Sequence, residues 1–249
     1  MMKVKNRLLN FTGKYIYQND DYFAFSLDSV LLANFVTLKL SDKKIVDFCS
    51  GNGPIPMLMS FRTKARIFGV ELQKEIYDMG YDSIIENRMD KQIEFINGDV
   101  KNISNFIDAE SMDVVTCNQP YFKYQENSLV NDNNVKTIAR HEVRLKLEDV
   151  IKASRYVLKN GGTFAMVHRP DRMIEIINLM QKYGIEPKKI RLVYPKIGKD
   201  ANILLIEGIK NGKTGLKIMS PLYTHNEDGS YVDEVRLMFG GNEDVAEEL

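Results

Sequence analysis

Apolar residues along this chain fall into short uninterrupted runs that alternate with stretches of helical period. Lys44–Cys49, Ala65–Val70, Ile93–Ile96, Met112–Cys117, Thr163–His168, Lys189–Tyr194 and Asn202–Ile209 read as strands, rich in β-branched residues and bounded by turn formers. Between them, Ile55–Phe61, Lys74–Met89, Ile103–Glu110, Leu147–Lys159 and Arg172–Tyr183 read as helices, with Gly161-Gly162 and Gly184 where helices stop. Near the start, Tyr22–Ala33 reads as a helix entry with Ser26 as N-cap and Asp28 in the first turn. Alternating strand and helix units with short connections predict an α/β fold, a doubly wound and mostly parallel seven-stranded sheet. Only Pro195–Ala201 separates the last two strands, too little for a crossover helix, so an antiparallel C-terminal hairpin is expected.

Composition bounds this picture. A chain of 249 residues that is 44% hydrophobic suits one large domain with short appendages. The expected division is an N-terminal extension (1–40) packing on the core, a core domain (41–210) and a C-terminal appendage (211–249) with an acidic tail. No apolar stretch reaches transmembrane length, and no signal-peptide core follows the charged start, so a cytoplasmic location is expected. Cys49 and Cys117, both in strand-like runs, read as small core residues of a reducing compartment. Histidines 141, 168 and 225 lack metal-ligand spacing, and no metal is expected. Net charge is zero, but residues 226–249 carry eight acids and one Arg, which leaves +7 on residues 1–225. Basic clusters at Lys3, Lys5, Arg7 and Lys14, and at Lys182, Lys188, Lys189, Arg191, Lys196 and Lys199, permit phosphate binding without proving it.

The chemistry concentrates at strand ends. Ser50-Gly51-Asn52-Gly53-Pro54 joins a strand to a helix, and its glycines let the backbone approach a ligand beside helix N–H groups. Pro56 replaces the third glycine of a dinucleotide fingerprint, and Asp47 on the strand would repel phosphate but suit a cationic amino group. Glu71 lies twenty positions past Gly51, placed to hold a ribose diol. Asp99, after the next strand, is placed to accept from an adenine amino group. Asn118-Gln119-Pro120-Tyr121 follows the strand Met112–Cys117. An amide oxygen, a backbone carbonyl and an aromatic face there suit an exocyclic NH₂ on a planar ring.

Together these residues resemble class I S-adenosylmethionine-dependent methyltransferases, across the whole chain. The resemblance implies a Rossmann-like methyltransferase sheet with S-adenosyl-L-methionine as cofactor. It implies cofactor contacts from Asp28, Asp47, Ser50, Gly51, Asn52, Gly53, Glu71, Leu72, Asp99, Val100 and Asn118. It makes Asn118, Gln119, Pro120 and Tyr121 catalytic, in the manner of the Asn-Pro-Pro-Tyr motif of enzymes that methylate planar NH₂ nitrogens. Gln119 departs from that motif; because the family uses the backbone carbonyl there, Gln119→Pro is expected to leave activity unchanged or raise it. The helix-entry segment at Tyr22–Ala33 and Ala139-Arg140-His141-Glu142 resemble the bacterial N6-methyltransferases that act on an adenine beside the anticodon of valine tRNA. That likeness implies an RNA partner, no membrane, and substrate contacts from Tyr121, Phe122, Arg140 and His141. Alternatives are a ribosomal RNA N-methyltransferase and, less favoured, a glutamine N5-methyltransferase of release factors, whose family carries a longer helical segment ahead of the core. Oligomeric state is not legible in the sequence.

Overall fold

A computed structural model describes residues 3–19, 26–119 and 145–240 of the chain. The seven expected strands are all present, as β3 (Lys44–Phe48), β4 (Arg66–Glu71), β5 (Ile93–Asn97), β6 (Met112–Cys117), β7 (Leu158–His168), β8 (Ile185–Tyr194) and β9 (Ile203–Lys210). They belong to one nine-stranded sheet that also takes in two short strands, β10 (Lys217–Ile218) and β11 (Leu222–Tyr223). β5, β4, β3, β6 and β7 pair in parallel in that spatial order. β9 runs antiparallel to both β7 and β8, so the expected hairpin is present. β10 and β11 pair in parallel with β8, which the hydrophobic pattern did not announce.

Central strands are buried on both faces, which is why they read as continuous apolar runs. Side chains alternate between two cores. Ile45, Val114 and Val167 face α1 (Leu27–Phe35), α2 (Pro54–Ser60) and α3 (Lys74–Glu86). Val46, Val115, Cys117 and Met166 face α4 (Leu147–Val157) and α5 (Met173–Lys182). Acidic Glu148 and Asp149 in the first turn of α4 match the positive end of its dipole, and Asp149 accepts the Lys146 N–H. After β5 the chain crosses back over β3 to form β6, so the strand order reverses between β3 and β6, where open α/β sheets bind ligands.

Several local expectations are corrected. Residues expected as a helix from Ile103 instead begin in a 3-10 segment, Val100–Asn105, with a non-helical break at Asn102. α4 ends at Val157, and Gly161-Gly162 lie inside β7, where Gly161 takes a left-handed φ of 76°. Gly184, also left-handed, does follow the end of α5. Ser26 occupies the N-cap position of α1, but its side chain makes no cap hydrogen bond. Cys49 lies just past β3 and is only half-buried, with φ of 56°.

The N-terminal segment adds a hairpin, β1 (Val4–Arg7) with β2 (Tyr15–Gln18). Ser83 and Asn87 of α3 satisfy its edge: Ser83 Oγ accepts the Tyr17 N–H at 2.9 Å, and the Asn87 amide pairs with both backbone groups of Tyr15. Half of the ten residues named in the basic clusters form ion pairs within the molecule. Lys3 pairs with Asp82, Lys5 with Glu86, Lys182 with Glu148, Lys189 with Glu207 and Arg191 with Glu234. These pairs link the clusters to acids on other elements, and several of them remain exposed to solvent.

Candidate active site

The loop after β3 is built around a buried carboxylate. Asp47 is paired in register with Thr116 of β6, and the Thr116 hydroxyl donates to it at 2.6 Å. The Ser50 hydroxyl donates to the other oxygen at 2.8 Å. Asp47 is fully enclosed, and burial pushes its pKa up to about 7, with Glu71's negative charge adding to the rise against the two hydroxyl bonds. Both oxygens are engaged in fastening the loop, through Ser50 and through Thr116 of β6.

Positive φ at Cys49, Gly51 and Gly53 carries the chain sharply from β3 into α2, and Pro54 begins the helix where its missing N–H costs nothing. A Cβ on Gly51 would meet nothing within 4 Å, so its backbone borders open space. Gly53 is different. Together with Gly69 of β4 and Gly80 of α3 it forms a slot for the Phe95 ring; a Cβ at Gly53 would lie 3.0 Å from that ring and one at Gly69 only 2.6 Å. The ring thus fixes the loop against the sheet and explains two glycines inside regular elements.

Glu71 ends β4, where its carboxylate accepts the Gly51 N–H at 3.0 Å and the Gln73 N–H at 2.9 Å. Burial raises its pKa, with those backbone donors opposing. Leu72 beside it is exposed. Asp99 follows β5 and accepts the Lys101 N–H at 2.9 Å, with Val100 buried behind it. Asn97 donates to the carbonyls of Glu71 and Leu72, which holds the tips of β4 and β5 together. Both acids stand at the carboxyl edge of the sheet on one side of the glycine loop.

Asn118 leaves the end of β6 on the loop's other side. Its amide nitrogen donates to the Ser29 hydroxyl of α1 at 3.1 Å, an orientation that makes the oxygen the acceptor end of the side chain. Gln119 is buried next to it. Asp28 lies half-buried in the first turn of α1, one residue before Ser29. The Asn52 amide donates to the Tyr17 carbonyl at 2.8 Å and pins the N-terminal hairpin to the glycine loop. The expected site residues Pro120, Tyr121, Phe122, Arg140 and His141 lie outside the described residues.

Sequence reasoning missed Ser29, Thr116 and Tyr17. Thr116 left a signal, as a polar residue in a buried apolar strand at the same depth as Asp47. Ser29 left less, since a serine in a helix entry reads as capping.

No family model matches the chain. It is 24% identical over 211 residues to a tRNA1(Val) (adenine(37)-N6)-methyltransferase of Bacteroides fragilis, covering 84% of this chain and 87% of that one. It is 20% identical to a protein of the same description from Cytophaga hutchinsonii, over 77% of this chain and 79% of the other. Among solved structures it matches a predicted O-methyltransferase from Agrobacterium tumefaciens with TM-score 0.69 at 22% identity, covering 86% of this chain and 95% of that one. A geranyl diphosphate C-methyltransferase from Streptomyces coelicolor matches with TM-score 0.56 at 15% identity, over 73% and 79% of the two chains. The chain has the fold of solved class I methyltransferases and is similar in sequence to bacterial tRNA1(Val) (adenine(37)-N6)-methyltransferases.

Proposed function

We propose that the chain methylates the exocyclic N6 of an adenine in RNA, the adenine beside the anticodon of valine tRNA, using S-adenosylmethionine. The observation that carries this reading is Asn118, held by Ser29 at the end of β6 and separated from the glycine loop only by the switch between β3 and β6. The relatives' shared description supplies the nucleotide.

The residues present fit the cofactor. Gly51 leaves its backbone open for a ligand's close approach, Glu71 offers carboxylate oxygens for a ribose diol, and Asp99 an acceptor for an adenine amine. When bound, the cofactor supplies an electrophilic methyl group on a sulfonium.

The protein's part is positioning. Adenine N6 is a weak nucleophile because its lone pair is delocalised into the ring. The Asn118 amide oxygen and the Gln119 carbonyl accept its two N–H bonds, turn the nitrogen toward a pyramidal shape and localise the pair. Acceptors fixed in advance lower the entropy of reaching an in-line geometry. An anticodon-loop base is the cheapest to present, being already unpaired. Beyond the site, the β8–β9 loop carries Lys196 and Lys199 with Ile197 77% exposed, and it lies at the same end of the sheet as Asn118 because β8 runs with β7. These two lysines of the second basic cluster would meet RNA phosphates.

The test is tritium transfer from labelled cofactor into unmodified valine tRNA transcript, with ribosomal RNA and release factor as parallel arms, followed by mass mapping of nucleosides. N6-methyladenosine in the tRNA arm alone is expected. Label confined to either other arm would replace this substrate.

A further inference from the structure

Gln119 is 2% exposed, yet among the described residues neither its amide oxygen nor its amide nitrogen has a hydrogen-bond partner. Burying an amide without partners is unfavourable, and folded proteins keep few such groups without a reason. Three other buried polar side chains of this site are bonded: Asp47 by two hydroxyls, Glu71 by two backbone N–H groups, Asn52 by a carbonyl. The Gln119 amide is also where the chain departs from the Asn-Pro-Pro-Tyr pattern, in which proline brings no side-chain polar group.

Its location restricts what could satisfy it. The last paired position between β6 and β7 is Cys117 with Met166. Gln119 and His168 each lie two residues beyond that pair, at the carboxyl edge of adjacent strands. The ring Nδ1 of His168 accepts the Arg169 N–H at 2.8 Å. Burial, with Arg172 nearby, pushes its pKa down to about 4, so the neutral ring carries its proton on Nε2. This strand edge adjoins Asn118, whose amide oxygen holds the target amine in our reading.

We propose that the Gln119 side-chain amide is a specificity-determining group that donates to a ring nitrogen flanking the exocyclic amine of the target base. The inference rests on the adenine-N6 reading above. Adenine presents acceptors, N1 and N7, on both sides of its amine, whereas guanine presents O6 in the amine's place beside a protonated N1. A side-chain amide is a complementary reader of an adenine edge. The residue then has two parts in one step: its carbonyl holds the amine and its side chain verifies the ring.

The test replaces Gln119 by Met, similar in length but without hydrogen bonds, and by Leu as a second variant should Met fail to fold. Thermal midpoint, cofactor affinity by calorimetry and kcat/KM are measured on valine tRNA anticodon-arm RNA. The target base is adenine, 7-deazaadenine or 1-deazaadenine. The variants are expected to melt no lower than wild type and to bind S-adenosylmethionine equally. On adenine their kcat/KM should fall at least about tenfold. On one deaza base, wild type should fall by the same factor while the variants fall no further, and which base does so identifies N7 or N1. Full activity of the variants on adenine, equal tolerance of both deaza bases by wild type, or lost cofactor affinity would each overturn the assignment. Wild type that methylates adenine in no RNA arm would instead refute the substrate reading beneath it.

Discussion

Replacing Asp47 by Asn gives a prediction whose size follows from the structure. Asn is isosteric and can still bond the Ser50 and Thr116 hydroxyls, which rotate to suit it. What it removes is a carboxyl that titrates at about 7 when folded against an ordinary 3.8. Below pH 3.8 the carboxyl is protonated in both states and contributes no pH dependence. As pH rises from there to about 7, the unfolded chain loses this proton and the folded chain keeps it, so the group lowers stability, by about 4 kcal/mol in all. His168 works in the opposite sense. Its folded pKa of about 4 lies below 6.5, so folding gains about 3 kcal/mol as pH rises across that window. In the wild type these two slopes nearly cancel between about pH 4 and about pH 6.5. Asp47→Asn should unmask the His168 slope. Urea denaturation followed by circular dichroism from about pH 4 to about pH 8 reads it as a stability difference between variant and wild type that grows with pH and levels off near 7. A difference that stays constant with pH would refute the reasoning, since it would mean that the Asp47 carboxyl titrates alike in both states. Because the carboxylate is enclosed, cofactor affinity should change little.

Glu71→Ala removes the acceptor of the Gly51 and Gln73 N–H groups together with the proposed ribose contact; S-adenosylmethionine affinity should fall roughly tenfold or more by calorimetry, and unchanged affinity in both it and Asp99→Ala would remove the cofactor assignment. Asn118→Ala should abolish methyl transfer while thermal midpoint and cofactor affinity stay near wild type; substantial remaining turnover would make Asn118 a tether to Ser29 only. Phe95→Ala empties the slot among Gly53, Gly69 and Gly80 and should cost about 3–5 kcal/mol in chemical denaturation, with a much smaller loss showing that the glycines close over the gap.

The positions of β3 to β9, and the places of the glycine loop, Glu71, Asp99 and Asn118 at strand ends, were legible in the sequence. Each is a local signal: a doubly buried strand must be an apolar run, and a sharp strand-to-helix turn needs residues that accept positive φ. The antiparallel hairpin of β8 and β9 was legible for an equally local reason, the shortness of Pro195–Ala201. Short strands carry too little pattern, and so β1, β2, β10 and β11 were not foreseen. Gly161-Gly162 misled because a glycine pair marks the end of a helix and a kink in a strand alike.

Only the tertiary structure decided what each polar group touches. Asp47 and Thr116 are 69 positions apart and meet because β3 and β6 pair in one register; a shift of one residue would turn their side chains to opposite faces. Clustered lysines and arginines proved to be matched to acids on other elements, which charge counting along the chain cannot detect. Asn52 bonds a hairpin that arrives from the far N-terminus, 35 positions away. Gln119 read as a tolerated replacement for proline, and its enclosed amide became visible only once the sheet had been closed around it. Periodicity records which face of an element is buried, because burial acts on each residue through the solvent. Partnership depends on distances between elements, which the sequence does not hold until the chain has folded.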